Sequence, residues 1–118
     1  MPAHHDEEIA VTVERLGQTV VVRPEGEIDL SRSPGFRNHL VSLQSSAPVG
    51  RLVVDLQGVP YMDSSGLATL VEAMQMALRR NTTLVLCGLQ DRVRSIIEIA
   101  KLDKVFTIVP DVEQAMQM

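Results

Sequence analysis

The chain has a single cysteine and very few aromatic residues. Cys87 has no second cysteine to pair with, which excludes an internal disulfide. Aromatic residues make up 3% of the 118 residues and tryptophan is absent, so a surface on which nucleic-acid bases stack is not expected. No apolar run approaches the ~20 residues of a membrane-spanning helix. Cys87 lies in the apolar run 84–87, where a buried core thiol is the simplest interpretation.

The charge is low and mixed in sign. The formal net charge is −4, and acidic and basic residues are interspersed, which argues against nucleic acid or an anionic membrane as the main partner. Residues 1–8 are polar and acidic and do not resemble a signal peptide. We therefore expect a cytoplasmic protein, with residues 1–7 forming a flexible tail.

Residues that could support catalysis are equally scarce. His4 and His5 lie in the N-terminal tail without further metal ligands nearby, and His39 falls in the middle of a predicted helix. The chain has no glycine-rich phosphate loop, no zinc-ligand spacing and no Gly-x-Ser-x-Gly segment. We therefore predict no catalytic residue, no metal and no cofactor, and the chain is not expected to be an enzyme.

Hydrophobic periodicity divides the chain into alternating strands and helices. The alternation over 9–14 and the apolar run 19–23 predict two strands joined by a short turn, hence an N-terminal β-hairpin. Three later strands are predicted at 52–56, 83–87 and 105–109. The order ββαβαβαβα predicts an α/β fold, with a mainly parallel sheet and helices packed on it, in one domain over 1–118.

The helices are predicted from caps and apolar spacing. Ser33 and Pro34 are typical of an N-cap followed by the first helical position, and Asp91 of another cap. Ser64 and Ser65 open a longer helix, and Asn81 suits its exit turn. The apolar faces, which we expect to be buried, carry Leu67, Leu70, Val71, Met74, Leu78, Val93, Ile96, Ile97 and Ala100. Met76 lies toward the flank of its helix and is a candidate partner contact.

The segment Asp63-Ser64-Ser65-Gly66 is the most unusual feature. It follows a buried strand and opens a helix, and open α/β sheets place functional groups at that edge. Capping and close backbone approach could explain one hydroxyl and the glycine. A helix cap needs only one such polar side chain, and this segment has two hydroxyls beside a carboxylate. Gly26-Glu27-Ile28-Asp29 ends the second strand, and we expect the two segments to meet if their strands are neighbours.

Five segments carry a likeness to a known family, in order along nearly the whole chain: 26–29, 53–56, 61–67, 84–88 and 101–106. On these segments the sequence resembles STAS domains, in particular bacterial anti-sigma factor antagonists. The resemblance implies the STAS fold, which agrees with the element order read from periodicity.

The resemblance also implies a mechanism. Such antagonists bind an anti-sigma factor with serine kinase activity and so release a sigma factor. Phosphorylation of a serine ends this binding, and a serine phosphatase restores it. The phosphorylated position corresponds to Ser64, although spacing alone does not choose between Ser64 and Ser65. The implied partner-binding residues are Asp29, Ser31, Asp63, Ser64, Ser65, Gln90 and Asp91.

Two other functions stay open from the sequence. Some STAS proteins are adaptors in stress-signalling assemblies or in lipid-transport ATPase complexes, and some of these lack the phosphorylatable serine. A small ligand-binding or enzymatic domain is the third possibility. The intact Asp63-Ser64-Ser65-Gly66 segment favours the phosphorylation switch over the adaptor role. We expect the protein to be a monomer.

Overall fold

The structure is a computed structural model that describes residues 8–118, and a five-stranded sheet organises it. The tail predicted at 1–7, with His4 and His5, lies outside the described residues. The strands are β1 (Ala10–Leu16), β2 (Thr19–Glu25), β3 (Arg51–Asp55), β4 (Thr83–Cys87) and β5 (Thr107–Val109). The helices are α1 (Ser33–Ser45), α2 (Ser64–Arg79), α3 (Asp91–Ile99) and α4 (Val112–Ala115).

The sheet order follows the chain order, β1-β2-β3-β4-β5. β1 and β2 form the predicted antiparallel hairpin, with Val13 opposite Val22, and all later pairs are parallel. The predicted α/β architecture is confirmed. Because β2, β3 and β4 run in the same direction, the loops that follow them meet at one edge of the sheet.

The two faces of the sheet are covered differently. Val20 and Val22 of β2 belong to the larger core, which also contains side chains of α1, α2 and α3. The intervening Val21 faces the other side and packs in a smaller cluster with Ala115 of α4. This alternation is the strand period of two, and it makes the central strands apolar on both faces. Cys87 lies in the smaller cluster and is fully buried, as predicted.

The predicted buried faces of the helices are partly wrong. Leu70 and Ile97 are fully buried as expected, but the predicted core residues Val71, Met74 and Ile96 are only half-buried. Leu78 is 71% exposed, because the buried stripe of α2 continues through Ala73 and Ala77 and leaves Leu78 about 100° beyond it. Ala100 is exposed, since α3 ends at Ile99. Met76 is half-buried, which leaves its proposed partner contact a prediction.

Several predicted helix and strand ends also differ. Arg32, not Ser33, is the N-cap of α1, and Gln90, not Asp91, is the N-cap of α3. β5 begins at Thr107, and Val105 before it is 52% exposed. Asn81 adopts a φ of 57° after α2 and makes the predicted exit turn. Within the described residues, no helix is long and apolar enough to cross a membrane.

Candidate functional site

The loops after β2 and β3 are joined to each other by backbone contacts. Ile28 and Met62 form an isolated parallel bridge, in which the Ile28 N–H donates to Tyr61 O at 3.0 Å. The Asp63 N–H donates to Ile28 O at 3.1 Å. Ile28 and Met62 are both fully buried. The two polar segments therefore meet at the carboxyl edge of the sheet, as expected for loops of neighbouring strands.

Asp63 caps α2 and organises its first turn. Its Oδ1 accepts hydrogen bonds from the backbone N–H of Ser65 at 2.9 Å and of Gly66 at 3.3 Å. The Ser65 hydroxyl also donates to this oxygen, at 2.5 Å. These bonds satisfy backbone donors that the first turn of a helix leaves without intrahelical partners. The carboxylate is thus fixed in place beside the two serines.

The two adjacent serines have different surroundings. Ser65 is half-buried, and its hydroxyl lies 2.8 Å from the hydroxyl of Ser33 in addition to its contact with Asp63. Ser64 is exposed, and its hydroxyl makes no hydrogen bond within the described part of the chain. A second protein can therefore reach Ser64 without breaking an existing side-chain contact. The structure thus distinguishes the exposed Ser64 from the hydrogen-bonded Ser65, which residue spacing does not.

Gly66 allows α2 to approach the first loop closely. A Cβ at this position would lie 2.5 Å from Met62 Cγ and 3.0 Å from both Ile28 Cγ2 and Ile28 O. Real Cβ atoms do not make a contact of 2.5 Å, so a larger residue would displace the helix or the loop. The glycine therefore positions the first turn of α2 against the Ile28–Met62 bridge.

Asp29 organises the loop after β2. Its Oδ1 accepts from the Ser31 hydroxyl at 2.8 Å, from the Ser31 N–H at 3.1 Å and from the Arg32 N–H at 3.2 Å. The side-chain bond from Ser31 is the main reason that the pKa of Asp29 is lowered from 3.8, while desolvation opposes the shift. The Asp29 carboxylate is therefore favoured in its charged form beside the Ser64 site.

The loop after β4 approaches the same edge through different partners. The Gln90 side chain donates from Nε2 to Gln57 O at 2.7 Å, and Asp91 is exposed at the start of α3. The Arg92 guanidinium lies 4.7 Å from the centre of the Tyr61 ring, close enough for a cation–π contact. Gln90 therefore contacts the start of the loop after β3, and neither Gln90 nor Asp91 makes a hydrogen bond to Ser64 among the described residues.

Sequence reasoning missed Tyr61, Arg92 and Gln57 as parts of this surface. Tyr61 lies in the loop after β3 and Arg92 in the first turn of α3, so their contact depends on the packing of α3 beside that loop. No local spacing signals such a pair. Within residues 8–118, no group of three or more His, Cys, Asp or Glu side chains is arranged to hold a metal ion.

The fold and the site define a small α/β domain with an exposed serine at the start of a helix, and comparisons with known proteins give its family. Residues 10–115 match the family described as STAS domain, and the chain belongs to this family. A curated relative from Listeria monocytogenes serovar 1/2a, named anti-sigma-B factor antagonist, is 37% identical over 83 residues, covering 70% of this chain and 72% of the relative.

Two further relatives extend this likeness along the chain. A Bacillus subtilis protein, also named anti-sigma-B factor antagonist, is 30% identical over 109 residues, covering 92% of this chain and 98% of the relative. The crystal structure of an anti-sigma factor antagonist from Mycobacterium paratuberculosis superposes with a TM-score of 0.83 at 26% identity and covers 92% of each chain. The recognised family is thus confirmed both by sequence and by fold.

Proposed function

We propose that this chain is an anti-sigma factor antagonist controlled by phosphorylation of Ser64. In the unmodified form it binds an anti-sigma factor that is also a serine kinase, and the sigma factor held by that protein is released. Phosphorylation of Ser64 ends the binding, and a serine phosphatase restores it. The curated relatives carry the name of antagonists of this kind, which supports a regulatory rather than an enzymatic role.

The observation that carries the proposal is the contrast between Ser64 and Ser65. Ser64 is the first residue of α2, it is exposed, and its hydroxyl is not engaged within the described residues. Ser65 is engaged with both Asp63 and Ser33. A kinase active site needs a hydroxyl that can reach the γ-phosphorus of ATP in line with the leaving group, and Ser64 meets this need.

Phosphoryl transfer to Ser64 needs no catalytic group from this chain. The Ser64 oxygen forms a bond to the γ-phosphorus of ATP while the bond from that phosphorus to ADP breaks. A base of the kinase takes the hydroxyl proton, because the Ser64 hydroxyl makes no hydrogen bond to Asp63 or to another base among the described residues. In the reverse branch, a phosphatase transfers the phosphoryl group to water and releases inorganic phosphate.

The partner surface combines three loops at one edge of the sheet. It includes three carboxylates, those of Asp29, Asp63 and Asp91. These carboxylates would face basic groups of the partner, and such steering weakens as salt rises. The proposed set is Asp29, Ser31, Asp63, Ser64, Ser65, Gln90 and Asp91, and we add Tyr61 and Arg92 to it because they contact each other beside the loop after β3. We propose that the protein acts in the cytoplasm as a monomer.

The proposal is tested by incubating the protein with ATP and a candidate anti-sigma factor kinase, followed by mass spectrometry that locates the phosphate. We expect one phosphate on Ser64 of the wild type and none on Ser64→Ala, which should still bind the kinase. Ser65→Ala is the matched control and should retain phosphate on Ser64. Full phosphorylation of Ser64→Ala would refute the assignment of the site.

A further inference from the structure

Ser33 links the first loop to the serine site through a side chain that sequence reasoning had assigned to a helix cap. Ser33 is 6% exposed. Its hydroxyl oxygen lies 2.8 Å from the Ser65 hydroxyl oxygen and 2.8 Å from the backbone oxygen of Asp29. The Ser65 hydroxyl continues this chain of contacts to Asp63. A polar path therefore runs from the start of α1 to the cap of α2.

The number of hydroxyl protons decides which group donates in each hydrogen bond of this path. Each hydroxyl carries one proton and an ionised carboxylate carries none, so the three contacts compete for two protons. Ser65 donates to Asp63, since a charged acceptor forms the stronger bond. Asp29 O already accepts from the backbone N–H of Arg32 at 3.1 Å and of Ser33 at 2.9 Å. The Ser33 hydroxyl can also donate to this oxygen, at 2.8 Å, but two N–H donors already occupy it. The Ser65 oxygen, which accepts no other hydrogen bond among the described residues, is therefore the better acceptor for the Ser33 proton.

We propose that Ser33 is a positioning residue for the phosphorylation site. By donating to Ser65, it holds the Ser65 hydroxyl on Asp63 and so fixes the carboxylate that caps α2 and shapes the turn presenting Ser64. Ser33 itself touches neither the kinase nor ATP. The effect on phosphorylation rests on the proposed function of Ser64, but the effect on the turn does not.

The first test measures the turn without any kinase. Amide exchange with water is followed by NMR at Ser65 and Gly66, whose N–H groups donate to Asp63 Oδ1. Ser33→Ala should speed this exchange by roughly three- to tenfold, the effect of losing one hydrogen bond. Ser33→Thr, which keeps the hydroxyl, should restore most of the protection. Ser42→Ala, an exposed serine of the same helix, should change nothing.

The second test measures phosphorylation of Ser64 by a candidate anti-sigma factor kinase. Ser33→Ala should lower kcat/KM by a similar roughly three- to tenfold factor, and Ser33→Thr should recover it. In a Ser65→Ala background, Ser33→Ala should have no further effect, because the contact through which it acts is already absent.

The outcomes separate the two proposals. A wild-type chain that accepts no phosphate on Ser64 would refute the proposed function, while the amide-exchange result would still decide the role of Ser33. Unchanged exchange and unchanged kcat/KM in Ser33→Ala would overturn the positioning role. An equal effect of Ser33→Ala with and without the Ser65 hydroxyl would overturn it as well, since the path would then not run through Ser65.

Discussion

Ile28 and Met62 lie side by side in a short parallel bridge that fastens the loop after β2 to the loop after β3. Both side chains are fully buried, and Gly66 of α2 packs against them with no room for a Cβ. The polar groups of the two loops are thus placed by an apolar contact beneath them. The position of the Ser64 site therefore depends on residues that are buried beneath it.

Replacing Gly66 with alanine should destabilise the protein and weaken partner binding together. The added Cβ would lie 2.5 Å from Met62 Cγ and 3.0 Å from the Ile28 backbone oxygen, and overpacking of this kind costs about 1–3 kcal/mol. Urea unfolding measures the loss. Gly50→Ala is the matched control, since its Cβ would meet the flexible end of Gln18 at 3.2 Å. An equal loss in both variants would contradict the role given to Gly66.

Asp63 and Asp91 should differ in their contributions to stability, although both lie at the start of a helix. Asp63 accepts two backbone N–H groups, whereas Asp91 lies inside α3 and its side chain caps nothing. Asp63→Ala should therefore cost about 0.5–2 kcal/mol of unfolding free energy. Asp91→Ala should lose only the dipole contribution, about 0.3–1 kcal/mol. Paired urea titrations decide this, and a larger loss in Asp91→Ala would show the assignment to be wrong.

The stabilising effect of Asp29 should disappear in acid. Hydrogen bonds from Ser31 and Arg32 lower its pKa from 3.8, so the folded state favours the carboxylate. A lowered pKa contributes stability that is present above the unfolded value of 3.8 and is lost as pH falls through the lower folded value. The Tm difference between wild type and Asp29→Ala should thus be largest near neutral pH and shrink below pH 3.8. Asp103→Ala, in an exposed loop, controls for the loss of a surface charge.

Cys87 should be unreactive in the folded protein. Burial raises the pKa of its thiol to about 12, and the charges of Asp55 and Asp111 act in the same direction against a smaller opposing effect of Arg23. Because the thiolate is the reacting species, a disulfide reagent at pH 8 should label the thiol far more slowly in buffer than in urea. Equal labelling rates in the two conditions would mean that the small core on the α4 side opens readily.

The sequence predicted the architecture because its signals are local and periodic. The hairpin, the alternation of strands and helices, and the helix that starts at Ser64 all follow from spacing within single elements. Leu78 shows the limit of this approach. Its spacing suits the buried face of α2, yet the core contact of that helix passes through Ala73 and Ala77, and Leu78 remains exposed.

The sequence indicated which residues belong to the candidate site but not the contacts between their side chains. Family resemblance placed Asp29 and Ser64 in it, and parallel strand order explains why their loops meet. The engagement of Ser65 by Ser33 depends on a contact between residues 32 apart in sequence, which no periodic pattern encodes. Ser33 itself was predicted as an N-cap because serine before proline is typical of one, whereas Arg32 occupies that position.

Phosphorylation of Ser64 should abolish partner binding without unfolding the domain. The phosphate adds about −1.5 to −2 charge at neutral pH. Ser64 is the first residue of α2, and the N-terminus of a helix stabilises an anion by roughly 0.3–1 kcal/mol. Repulsion from Asp63, and to a lesser degree from Asp29, opposes this gain. The net change in Tm should therefore be small.

The partner meets the same phosphate under different conditions. In a contact from which water is excluded, new charge without a matching cation is costly, so affinity should fall sharply while the fold persists. Thermal melting and affinity are measured side by side on the phosphorylated and unmodified forms, with Ser64→Ala as the control that removes the hydroxyl without adding charge. A fall in Tm that accompanies the loss of binding would instead indicate a switch that works by unfolding α2, and repulsion at the interface would then not be the cause.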